Sequence, residues 1–117
     1  MITIQKTDKR AYRDGIFKQA VLDGQRLLGH VYKDERTHHV MAKDGNYSVG
    51  QRVEQGWRFE AANLHDSVRR LDSIADRDRF RRLGRGFERT RKAAIKELVD
   101  FTRRLDETLA WVEKSRG

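Results

Sequence analysis

Ten cationic side chains crowd the stretch from residue 69 to 92: Arg69, Arg70, Arg77, Arg79, Arg81, Arg82, Arg85, Arg89, Arg91 and Lys92. Only Asp72, Asp76, Asp78 and Glu88 oppose them, a net +6 out of the +8 that the whole 117-residue chain carries. Nine of the ten are arginine. Its planar fork suits phosphate and carboxylate oxygens and stacks on bases. Each phosphate neutralised by such a patch releases counterions, so binding through it weakens steeply with salt. The composition predicts a small, non-enzymatic nucleic-acid-binding protein, its target DNA or RNA. The phosphate contacts are expected at Arg69, Arg70, Arg77, Arg81, Arg82, Arg85, Arg89 and Lys92, with Arg81, Arg82, Arg85 and Arg89 foremost. No constellation of base-reading residues accompanies them, so weak sequence specificity is expected. Gly84 and Gly86 flank Arg85 and could bring backbone N–H groups close to a phosphate. The competing reading is a solvated, ion-paired helix face, with Arg77, Arg81 and Arg85 paired to Asp76, Asp78 or Glu88.

Little else in the sequence points to chemistry. There is no cysteine, which removes disulfides, thiolate metal sites and cysteine nucleophiles together. His38 and His39 are neighbours, and on a strand neighbours face opposite sides, so they cannot share one metal. His30 lies on a preceding candidate strand near Asp34 and Glu35, and His65 sits in the first turn of a candidate helix. A nuclease-like cluster would have to draw on Asp8, Asp14, His30, His38 and His39, and their spacing does not favour one. No nucleophile elbow, Walker loop or dinucleotide-binding glycine motif occurs. Most carboxylates are scattered among arginines, which hold them ionised and unsuited to acid catalysis. No enzyme, metal or cofactor is expected.

The elements that position the arginines divide the chain in two. Six of the nine glycines precede residue 60, and no proline occurs anywhere. The first part, 1–62, reads as strands at 1–5, 16–22, 26–33 and 37–43, with more strand at 47–53 and 57–60. Asp23-Gly24 and Asp44-Gly45 are hairpin turns. Trp57 and Phe59 are expected to point into a small core. The second part, 63–117, reads as helix. Asn63 is a candidate N-cap with Asp66 behind it, a short helix follows at 76–83, and Gly84-Arg85-Gly86 makes a corner. A long helix is expected over 87–113. Its apolar stripe, Leu98, Phe101, Leu105, Leu109 and Val112, belongs on a core or against a partner helix. The fold class expected is α+β, one compact domain built from an antiparallel β-meander and two or three helices.

With 37% hydrophobic and 38% charged residues the core must be small. No apolar run approaches the roughly 20 residues of a membrane span. No secretory leader is apparent, and a cytoplasmic location without membrane contact is expected. The alternative function is a protein-binding adaptor or inhibitor of the phage- or plasmid-accessory kind. It would meet an acidic protein partner through the arginines or form a homodimer through the long helix.

Overall fold

A computed structural model describes residues 1–6, 17–45 and 47–116. Asp8, Asp14 and the expected strand start at Ile16 lie outside the described residues. The elements run β1 (Ile2–Lys6), β2 (Gln19–Asp23), β3 (Arg26–Met41), β4 (Ser48–Ala61), α1 (Leu64–Val68), α2 (Ile74–Leu83), β5 (Arg85–Glu88) and α3 (Arg91–Arg116). The five strands form one antiparallel sheet in sequence order, an α+β meander followed by helices. Both Asp-Gly turns are present, and each glycine takes the positive φ that favours it there, 60° at Gly24 and 75° at Gly45.

Three boundaries differ from the sequence expectation. The strands expected at 26–33 and 37–43 are one strand of 16 residues, β3, and those at 47–53 and 57–60 merge into the 14-residue β4. The polar stretch Asp34–Arg36 does not break β3, because cross-strand partners satisfy it. Arg58 pairs with Asp34, Gln55 donates to Glu35 at 3.0 Å, and Arg36 donates to Glu54 at 2.8 Å. Gly56 does not break β4 either. A Cβ there would come within 2.5 Å of the Phe87 ring, so the missing side chain is the seat of that ring.

The third difference is β5. Residues 85–88 are a short strand on the edge of β4 and not the start of the long helix. Gly86 lies opposite Phe59, and a Cβ on it would meet that ring at 2.6 Å. The long helix then starts at Arg91, where the Thr90 hydroxyl accepts from the Ala93 N–H at 3.1 Å. Asn63 precedes α1 with φ of 53° and makes no side-chain cap. Ser73 caps α2 instead, accepting from the Asp76 N–H at 3.3 Å.

Two apolar clusters share α3. Ala94 and Leu98 pack with Val21, Leu28, Val31 and Phe59 of the sheet. Phe101, Leu105, Leu109 and Val112 pack with Leu64, Val68, Leu71 and Phe80 of the short helices. The five residues read as a possible partner interface are thus between 0% and 6% exposed within the single chain. The chain's own strands and helices cover them, and a dimer through this stripe would have to open the core. Thr102 sits in the same stripe with its hydroxyl donating to the Leu98 carbonyl at 2.9 Å. Beyond the clusters, the distal halves of β3 and β4 continue as a two-stranded arm, and the molecule measures 57 × 37 × 25 Å.

The expected cost of Phe101→Ala follows from this packing. Phe101 stacks tilted on Phe80 at 6.0 Å, so truncation should lower unfolding free energy by about 3–5 kcal/mol in urea titration. Trp111 of α3 is 69% exposed, so Trp111→Ala should stay within about 0.5 kcal/mol.

Candidate nucleic-acid interface

The end of α2, the start of α1 and the first residue of β5 meet at Gly84. Its N–H donates to the Phe80 carbonyl at 3.0 Å, and its carbonyl accepts from the Ala61 N–H at 2.8 Å. A Cβ on Gly84 would lie 2.6 Å from a Leu64 methyl and 3.1 Å from the Phe101 ring. Glycine therefore lets the helix end press against α1 and carry Arg81, Arg82 and Arg85 to the same place. Together with Leu64 and His65 they line an open pocket of about 330 Å³.

The charge in this pocket is largely uncompensated. Arg81 reaches Asp78 at 3.4 Å, a marginal contact, and its Nε is enclosed without an acceptor. Among the described residues neither Arg82 nor Arg85 has a carboxylate partner. The ladder explains Arg85: its opposite residue is Glu60, and Lys18 holds that carboxylate at 2.9 Å. Glu88, three residues along β5, faces the other side of the sheet. For Arg82, the i−4 carboxylate is Asp78, which contacts Arg81 instead.

The other expected contacts are dispersed. Arg70 pairs with Glu113, and the Arg77 Nε donates to the Leu71 carbonyl at 2.7 Å. Arg79 lies over Phe80 at 5.1 Å and 3.7 Å from Asp76. Arg69 and Lys92 are exposed but line no part of the pocket. Arg89 belongs to a different cluster, 3.3 Å from Glu54.

That second cluster was not legible in the sequence. Glu54 accepts from Arg36 at 2.8 Å and contacts His38 Nε2 at 2.9 Å, with Arg89 on its other oxygen. Beside it the Phe87 ring lies between the guanidinium groups of Arg36, at 4.7 Å, and Arg58, at 5.3 Å. The Arg36 hydrogen bond first, then His38, and the Arg89 charge hold the Glu54 carboxyl down at about 2. These contacts fasten β5 to the root of the arm and consume their own charge.

The aromatic and basic residues interleaved on the strands are also partly engaged with one another. Phe59 is buried as expected, whereas Trp57 is half-buried, with Lys33 5.8 Å and Arg91 6.0 Å from its ring. Lys18 lies over Tyr32 at 5.1 Å. Among the described residues no group of three or more His, Asp or Glu side chains is placed to hold a metal. His30 and His38 sit far apart along β3, and His38 is committed to Glu54.

A carboxyl whose folded pKa lies below its unfolded value stabilises above the unfolded pKa, and that contribution fades as pH falls toward the folded one. The stability gap between the native chain and Glu54→Gln, measured by thermal melts, should therefore be present at neutral pH. It should shrink progressively as the pH falls below about 4.5. No family model, curated protein or solved structure matches the chain, so its function is argued from the geometry of these residues alone.

Proposed function

We propose that this protein is a non-enzymatic nucleic-acid-binding module whose contact point is the pocket formed by Arg81, Arg82 and Arg85. The observation that carries the reading is convergence without compensation. Three guanidinium groups from two elements share one pocket, and two of them lack any carboxylate partner among the described residues. Elsewhere the fold pairs its cations readily, at Arg26–Asp106, Arg36–Glu54, Arg70–Glu113 and Arg116–Asp72. Unpaired arginines held together repel one another, and an anion relieves that repulsion. Phosphate oxygens match the guanidinium fork. The described residues contain no helix long and apolar enough to cross a membrane.

The arm favours a second reading, that of an adaptor for another protein. Val40, Met41, Tyr47, Val49 and Val53 are between 48% and 60% exposed on it, and apolar groups gathered on a projecting ribbon suit a protein contact. The two readings concern different surfaces and separate by experiment.

Electrophoretic shift with random single-stranded and duplex DNA and RNA across a salt series tests the first reading. Micromolar binding is expected, with a logarithmic salt slope of roughly −2 to −3 for three phosphates. The Arg82→Glu/Arg85→Glu double variant should bind roughly 10- to 100-fold more weakly. Both side chains are exposed and unpaired, so its melting temperature should stay within about 3 °C of native. Arg70→Ala, which removes a paired cation, should bind nearly as the native chain does. Failure to bind any nucleic acid at low salt would overturn the reading.

A further inference from the structure

We infer that the arginine pocket takes one unstacked nucleotide of a single strand, its phosphate on Arg82 and Arg85 and its base against Leu64 and His65. The inference rests on the nucleic-acid reading above and specifies what enters the pocket. A duplex backbone presents phosphates along a line, and a surface made for it carries cations along a matching line. Of the eight cations expected on phosphate, Arg70, Arg77 and Arg89 are held by other contacts, Arg69 and Lys92 line no part of the pocket, and Arg81, Arg82 and Arg85 share it.

The size and walls of the pocket point the same way. At about 330 Å³ it falls at the small end of ligand sites, suited to a mononucleotide and not to a strand pair. Beside its three arginines the pocket is walled by the apolar Leu64 side chain and the His65 ring, an uncharged flank. Inorganic phosphate alone would leave it uncovered, whereas a base would lie on it.

Arg81 lines the same pocket. Its Nε is enclosed and has no acceptor, the one nitrogen of its kind among the described arginines. An enclosed N–H without a partner costs free energy. The imidazole of His65 and the guanidinium planes offer flat faces, the surfaces on which splayed bases stack.

Fluorescence anisotropy with a labelled single-stranded oligonucleotide tests this. At equal salt the single strand should bind about tenfold more tightly than a duplex of the same length. An abasic strand carrying the same number of phosphates should lose about tenfold, and so should the native strand on His65→Ala, with the circular dichroism of the variant unchanged. Adenosine monophosphate should compete at concentrations where inorganic phosphate does not. Equal affinity for single, duplex and abasic strands, all lost in Arg82→Glu/Arg85→Glu, would overturn the inference and leave the nucleic-acid reading standing. Binding of the mononucleotide without any polynucleotide, abolished by the same double variant, would overturn both the inference and that reading and leave a free-nucleotide site. Equal competition by phosphate and the mononucleotide would overturn the inference.

Discussion

The apolar stripe of α3 is the constraint on which the other features depend. Each large side chain buried along it is worth about 1.5–3 kcal/mol, whereas an exposed ion pair contributes about 0–1 kcal/mol. Where the stripe goes is thus decided by its apolar residues, and the charges are arranged afterwards. The stripe is too long for either layer alone. Its first turns lie on the sheet through Ala94 and Leu98, and its later turns cover α1 and α2 through Phe101, Leu105, Leu109 and Val112. Ala61 packs against both clusters, and its N–H donates to the carbonyl of Gly84, which lies against Leu64 and Phe101. Arg26 reinforces the docking from outside, donating to both oxygens of Asp106 at 2.7 and 2.9 Å.

The arginine pocket is a consequence of that joint. Because α2 must end where β5 begins, the last turn of the helix and the first residue of the strand arrive at the same place. Arg81, Arg82 and Arg85 come with them. The carboxylates nearest Arg82 and Arg85 are engaged with other cations, Asp78 with Arg81 and Glu60 with Lys18. The contrast with the Glu54 cluster is one of purpose within a single fold. There Arg36, His38 and Arg89 converge on the Glu54 carboxylate, Arg36 also covers the Phe87 ring, and the contacts lock β5 to the arm. In the pocket Arg82 and Arg85 line an opening with no carboxylate partner among the described residues.

Parts of this were legible in the sequence and parts were not. The three-four spacing from Ala94 to Val112 read directly as a helix with a buried face, because helical periodicity is a local property. The two Asp-Gly turns read directly for the same reason, since positive φ at Gly24 and Gly45 is a demand of the turn itself. The length of β3 did not, because Asp34, Glu35 and Arg36 have poor strand propensity alone and are stabilised by β4 residues some twenty positions away. Strand β5 was hidden by its glycine, which looked like a helix corner and is there to clear the Phe59 ring. The excess of arginine between residues 69 and 92 was visible, but its division was not. Which cations pair depends on where Glu54, Glu60 and Glu113 fall in space, and linear order carries no record of that.

The most direct test of the pocket as the contact surface is a nuclear magnetic resonance titration of the labelled chain with a short single-stranded oligonucleotide. The result expected is a set of shift changes confined to residues 64–65 and 81–86, with the Arg81, Arg82 and Arg85 side-chain resonances moving most. Changes confined to the arm, residues 37–53, or an unchanged spectrum at saturating oligonucleotide, would contradict it.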